Sequence, residues 1–467
     1  MGETTHMFDL FAAPAIESSK RFGRRFGRMG QALIGVVHRA SKPACWLCLA
    51  ALVSACGKPE TPAEATAEPA ADFGVLIFGD SGYHLGYPDE DDYADVFTAE
   101  EYLENEYADW IDDKRPVEEF EAGPSAVSPV TGGVVPATGM HRISAAMKKY
   151  CTEVATCDFG VMLGDNIYPD GATLGADGFD DATRFREILD DPFGSLVEDP
   201  AHYVTYVTLG NHDWNTSRAG GFAQMAYLGN HGGFHIEGPF YSARPQGVGG
   251  AVELFVIDTS MMLASMTVRK DRLNDDGSEA STDEIDEPGY AVEPLTDAER
   301  NMHIWLEDAL RTSSAQWKLV VAHHPIWSSS GGKFEEARAL REAILPAMCR
   351  YADAFLAGHE HTLEIHTDNC AAALGRPAEK PLVQIVSGAA AKQRPIHSSF
   401  MRHQAAKYPE HTTVWAEGLL WGFAHLRVSG DRATVTLLSI PDAESEDISV
   451  DFEYGFERRS HIAYGDS

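Results

Sequence analysis

The apolar positions of this chain fall into short unbroken runs. Val75-Leu76-Ile77-Phe78, Phe159-Gly160-Val161-Met162, Val204 to Leu209, Lys318 to Ala322 and Ala354 to Ala357 are too short for helices and rich in β-branched or aromatic residues. Each predicts a buried strand. Met140 to Tyr150 predicts the helix that comes after the first strand. Thr296 to Arg311 predicts another, with Met302, Ile304, Trp305, Leu306 and Leu310 as its apolar positions. Two acidic stretches interrupt the pattern, at about 86–136 and at 269–294. Both read as insertions, the first a solvated acidic face and the second a mobile loop.

The turn after each strand is more telling than the strand itself. Gly79-Asp80-Ser81-Gly82, Leu163-Gly164-Asp165-Asn166-Ile167-Tyr168, Gly210-Asn211-His212-Asp213, His323-His324-Pro325 and Gly358-His359-Glu360-His361 come directly after the five runs. Every run stops at Gly or Ala and delivers a residue type that binds metal. In open α/β sheets the carboxyl edge of the strands is where ligands bind. Gly164 lets the chain turn sharply and presents Asp165 there, with Tyr168 three positions on. A carboxylate and a phenol suit a hard, highly charged cation.

Composition narrows the class. With 467 residues, 44% of them hydrophobic, there is material for one large core. A formal charge of −34 argues against nucleic acid as a partner. The N-terminus carries a basic region (Lys20, Arg21, Arg24, Arg25, Arg28, Arg39, Lys42), then an apolar run from Ala44 to Ala55, then Cys56 after Ser54-Ala55. This is the layout of an export signal, and Cys56 resembles the lipidated cysteine of a bacterial lipoprotein. Removing seven basic and three acidic residues with it takes the charge from −34 to −38. The division expected is 1–55 signal and extension, 56–72 linker, 73–456 catalytic domain and 457–467 tail. The product is a periplasmic or cell-surface lipoprotein that touches the membrane only through its lipid, or alternatively a secreted soluble protein. Cys151, Cys157, Cys349 and Cys370 remain after cleavage. They permit three pairings, of which the local one (Cys151 with Cys157, Cys349 with Cys370) is expected in an oxidising compartment.

Two other motifs fail on inspection. An EF-hand from Asp89 has Tyr93 and Ala94 where an oxygen ligand and a Gly belong. Ser328 to Lys333 lacks the first Gly and the final Ser/Thr of a phosphate loop.

The five motifs in order resemble the calcineurin-like metallophosphoesterases, and within them the purple acid phosphatases of the small tartrate-resistant type. Tyr168 in Gly-Asp-x-x-Tyr discriminates, and Gly238 to Tyr241, Leu254 to Asp258 and Gly422-Phe423-Ala424 add to the likeness. The resemblance implies a four-layer α/β/β/α sandwich of two mixed sheets with a dinuclear centre at the strand ends. It implies that Asp80, Asp165, Tyr168 and His361 hold Fe(III), while Asp165, Asn211, His323 and His359 hold a divalent Fe, Zn or Mn. The donor types agree, since carboxylate and phenolate suit a trivalent ion and imidazole a divalent one. His212 would protonate the leaving alkoxide, with Asp213 orienting it. Related enzymes often carry a further histidine beyond the Pro after His323. This chain has Trp327 to Gly332 there, so His324 or His84 is expected to contact the substrate instead.

The activity implied is acid hydrolysis of small phosphomonoesters by hydroxide bound to the two metals. The alternatives are a phosphodiesterase or nucleotidase on the same fold, or a lipid-anchored phosphate- or metal-binding protein that does not turn over.

Overall fold

The computed structural model describes residues 71–87, 93–176, 178–198, 202–286, 292–441, 445 and 447–461. The expected signal, Cys56 and nearly all of the linker lie outside them. The first strand, β1 (Asp72–Phe78), is followed by helix α1 (Ala99–Asp112) and helix α2 (Met140–Glu153). It runs parallel to β2 (Phe159–Leu163), which runs parallel to β3 (Thr205–Thr208). On its other side β1 pairs antiparallel with Trp421–Ser429. That strand continues through Arg432–Ile440 to Ser449–Glu457, making a seven-stranded mixed sheet.

A second seven-stranded sheet has β4 (Trp317–Val321), β5 (Ala354–Ala357) and β6 (Leu382–Ser387) parallel at its centre. Between β4 and β5 runs helix α3 (Phe334–Tyr351). The two sheets face each other. Ser387 Oγ donates to Ile77 O at 2.9 Å and Thr208 Oγ1 to Ile257 O at 3.3 Å, tying one sheet to the other. Every residue of β2 through β6 is buried. Sandwiched between a layer of helix and a second sheet, such strands have no polar face to show, and so they read as unbroken apolar runs. Helix α2 adds Ile143, Met147 and Tyr150 to this core, and α3 adds Leu340, Ile344 and Met348. The four-layer sandwich is the architecture of the chain.

The helix expected over Thr296 to Arg311 is two. Thr296 and Glu299 form a capping box on Asp297–Arg300, Asn301 breaks the helix, and Met302–Thr312 resumes. Ile304, expected to face inward, is half exposed. The first insertion is only partly a solvated face. Glu100 and Glu104 are exposed, but Tyr102, Trp110 and Arg115 are buried. Arg115 donates to Pro395 O, Ile396 O and Ser330 O at 2.8–2.9 Å, stitching the insertion to the body. The described residues of the second insertion, 269–286 and 292–294, are fastened to the body. Its ends pair as Val268–Arg269 with Ile285–Asp286, and Glu279 takes Arg338, Lys407 and Tyr408. Disulfides join Cys151 to Cys157 and Cys349 to Cys370. Beyond 457, Arg459 is buried and donates to the carbonyls of Met348, Cys349 and Ala352 at the end of α3. Among the described residues no helix is long and apolar enough to cross a membrane.

Candidate metal centre

All five motifs sit at the carboxyl ends of β1 to β5, where the strands run parallel within each sheet. The loops are bonded to one another: Asp80 N–H donates to Gly164 O at 3.0 Å, and Gly358 N–H to His323 O at 2.9 Å. Asp80, Asp165, His359 and His361 all adopt left-handed backbone, with φ of 54°, 50°, 73° and 51°. Such conformations cost about 1–3 kcal/mol each and cluster where a site dictates them. Glycine supplies the clearance. A Cβ on Gly210 would lie 2.2 Å from Asp165 Oδ1, and one on Gly358 2.6 Å from Asp80 Oδ2.

The side chains converge in two groups. Tyr168 OH lies 3.0 Å from Asp80 Oδ1, 2.9 Å from Asp165 Oδ2 and 3.1 Å from His361 Nε2. His323 Nε2 lies 3.3 Å from Asp165 Oδ2, 3.2 Å from Asn211 Oδ1 and 3.2 Å from His359 Nδ1. Asp165 Oδ2 belongs to both groups. The seven residues expected as ligands are therefore all in one place.

Their electrostatics fit cations. Burial, with Asp165 beside it, pushes the Asp80 carboxyl up to about 8. Burial acts on Asp165 in the same direction, but His323 and His212 outweigh it and hold this carboxyl well below the usual range. Burial lowers His323, yet Asp165 dominates and raises it to about 10. Burial also drives His359 and His361 down and Tyr168 up. Oxygen and nitrogen donors with opposed charge preferences are packed within hydrogen-bond distance, and two cations would satisfy them all. The donor set thus fits a dinuclear centre, with Asp80, Asp165, Tyr168 and His361 as an oxygen-rich half and Asp165, Asn211, His323 and His359 as a nitrogen-rich half.

Other expected residues land elsewhere or in other roles. The His212 ring is partly exposed, lies 4.4 Å from the Tyr168 ring and has Nε2 4.0 Å from Asp165 Oδ2, so it borders the centre from the open side. Asp213, expected to orient it, has its bonds elsewhere. The Asp213 carboxylate is buried and accepts from the backbone of Gly210, Asn166 and Ile167 and from Gln224 Nε2, at 2.7–3.2 Å. It clamps the Asp165 loop to the Asn211 loop. The His212 ring is held instead through Nδ1, 2.5 Å from Pro169 O. His324 is 1% exposed, with Nδ1 on Thr259 Oγ1 at 2.8 Å and Nε2 3.8 Å from Glu336, so its ring is closed to solvent and packs against the His323 and His359 rings. His84 accepts from Gly86 N–H and packs its ring near Tyr87 and His141.

Sequence reasoning passed over a sixth strand end. β6 stops at Gly388, and the turn after it carries Lys392 and Arg394 to the centre. The strand obeyed the same apolar-run-then-Gly rule, but no metal-ligand type came next to flag it. Arg394 Nη1 pairs with Glu360 at 2.8 Å, and Ser330 Oγ donates to the same carboxylate. Glu360, fully buried between His359 and His361, is thereby held off the centre. Beyond His361 opens a cavity of about 320 Å³ lined by Tyr83, Tyr102, Trp110, Lys392 and Arg394.

A calcineurin-like phosphoesterase family model matches residues 138–363. Over that stretch, just under half of the chain, it is similar to the calcineurin-like phosphoesterases. The curated relatives it matches are purple acid phosphatases. It is 29% identical over 215 residues to purple acid phosphatase 4 of Arabidopsis thaliana, covering 44% of this chain and 53% of that one. It is 25% identical over 209 residues to purple acid phosphatase 3 of the same plant, covering 44% and 49%. The chain thus spans about half the length of the curated relatives it matches. Among solved structures it resembles purple acid phosphatase PPD1 from yellow lupin (Lupinus luteus) seeds, with TM-score 0.44, 13% identity and coverage of 84% of this chain and 55% of that one.

Proposed function

We propose that this chain hydrolyses phosphomonoesters at a two-metal centre, as an exported acid phosphatase. The observation that carries the reading is the Asp165 carboxylate shared between an oxygen-rich and a nitrogen-rich donor group. Asp80, Asp165, Tyr168 and His361 would hold Fe(III), and Asp165, Asn211, His323 and His359 a divalent Fe, Zn or Mn, and the pair would supply charge neutralisation and an activated water. The chain's own residues do the rest. Asp165 and Asp80 are pinned by backbone N–H groups of His212 (2.9 Å) and His359 (2.7 Å), so the centre is organised before substrate arrives. His212, held at Nδ1 by Pro169 O, presents Nε2 to donate a proton to the leaving alkoxide. Export as a lipoprotein through Cys56 accords with the signal-like N-terminus and with two disulfides.

Protein purified without chelator tests the reading by metal analysis, visible spectrum and turnover of 4-nitrophenyl phosphate against its bis-ester. Expected are two metals per chain, a violet band from Tyr168 bound to Fe(III), and faster hydrolysis of the monoester. Two metals with no hydrolysis of either ester would overturn it. A colourless active enzyme would remove only the iron assignment.

A further inference from the structure

The chain carries −34 in formal charge, and a phosphomonoester is a dianion. Besides the cations the centre would hold, side-chain cations at its mouth would offset that repulsion. Three cations line the cavity beyond His361. Arg115 is bound to backbone carbonyls and Asp113, and Arg394 to Glu360. Both are built into the wall. Lys392 is placed by aromatic faces: its Nζ lies 4.6 Å from the centroid of the Tyr168 ring and 5.3 Å from that of Tyr83. Cation–π contact of this kind seats an ammonium over a ring, and the ring here belongs to a residue of the oxygen-rich donor group.

The backbone that carries Lys392 is tied to the metal ligands. Ala391 N–H donates to the carbonyl of Asp80 itself at 3.1 Å, and Ala390 N–H to Gly79 O at 3.3 Å. Ala391 O in turn accepts from Gly139 N–H and from Trp421 Nε1. A lysine leaving such an anchor, half-buried and laid over the Tyr168 ring, has its reach set relative to the donor cluster. In the segment after His323, Ser328, Ser329 and Ser330 are buried, Ser330 is turned to Glu360, and the cation that follows, Lys333, pairs with Glu336 at 3.7 Å.

We propose that Lys392 is the phosphate-contacting cation of this site: its ammonium, carried over Tyr168 into the cavity that His361 lines, binds a phosphoryl oxygen of the monoester dianion. The assignment rests on the phosphatase reading above for its substrate, but phosphate binding tests it alone. Inorganic phosphate is titrated by calorimetry into metal-loaded wild type, Lys392→Met and Lys392→Arg, with metal content measured for each. Loss of one charge-assisted hydrogen bond weakens binding by about tenfold to a hundredfold. Lys392→Met should lose that much at unchanged metal content, and Lys392→Arg should recover most of it. With 4-nitrophenyl phosphate, Lys392→Met should raise KM far more than it lowers kcat. A measurement on wild type avoids any folding defect: phosphate should protect Lys392 from acetylation, read by peptide mass spectrometry. Wild-type phosphate affinity in Lys392→Met, or acetylation of Lys392 indifferent to saturating phosphate, overturns the assignment. Wild type that binds phosphate through Lys392 but hydrolyses no ester keeps it while discarding the phosphatase.

Discussion

His212 and Asp213 are neighbours in sequence and opposites in role. His212→Ala should leave metal content unchanged and lower kcat on an alkyl phosphate by about 10²–10⁴-fold, the usual worth of a positioned acid. A smaller loss on 4-nitrophenyl phosphate, whose leaving group needs little protonation, would mark the residue as the acid. Asp213→Ala should act through the fold. It strands several buried N–H donors, each costing about 1–3 kcal/mol, and melts should show the chain markedly destabilised. A stable Asp213→Ala with the His212→Ala rate defect would restore Asp213 as the orienting partner. The ligand residues were legible because each stands close after a buried strand. Asp213, His324 and Lys392 were not, since their roles depend on which loop lies across from them.

At the level of elements, α3 is held at both ends by groups distant in sequence. At its start, Asp271 Oδ1 accepts from Glu335 N–H at 2.8 Å, with Glu336 and Lys333 also facing it. Burial first, then the neighbouring glutamates, pushes the Asp271 carboxyl up to about 7, against the pull of that N–H and of Lys333. A carboxyl raised on folding stabilises while protonated. Its contribution is full below the unfolded value of about 4 and lost as pH rises through about 7. Asp271→Asn keeps the acceptor and cannot ionise, so denaturant melts should fall less steeply with pH across that window than in wild type. At its end, Arg459 satisfies carbonyls that the last turn of a helix leaves without partners. Arg459→Met should cost about 2–3 kcal/mol in denaturant unfolding, since bonds to a charged donor are lost from a buried site. An unchanged midpoint would show the cap to be dispensable. Neither contact announces itself in sequence: Asp271 sat in an insertion expected to be loose, and Arg459 in a segment set apart as a tail.

For the whole molecule, net charge sets how an anionic substrate approaches. The field of −34 extends about 30 Å at 0.01 M salt and about 8 Å at 0.15 M. Raising salt over that range with a non-coordinating electrolyte should therefore increase kcat/KM for a phosphomonoester severalfold, and less for a monoanionic diester. A fall would mean that local cations such as Lys392 govern the approach instead. The same scale explains what was legible of the fold. The central parallel strands are covered on both faces, so their runs are apolar throughout and their ends are sharp. The long antiparallel strands from Trp421 to Glu457 reach the sheet's edge, and Ser449–Glu457 shows one face to solvent, so its pattern blurs with that of a surface loop.

By itself the sequence determined the five buried strands, the turn after each and the identity of the donors presented there, because burial and local backbone geometry act over a few residues. Tertiary structure decided that Asp165 is shared between two donor groups, that Asp213 clamps loops, that His324 backs the ligands and that Lys392 reaches over Tyr168. Those are distances between residues up to about three hundred positions apart, and only strand pairing within each sheet and the packing of one sheet on the other bring them within reach.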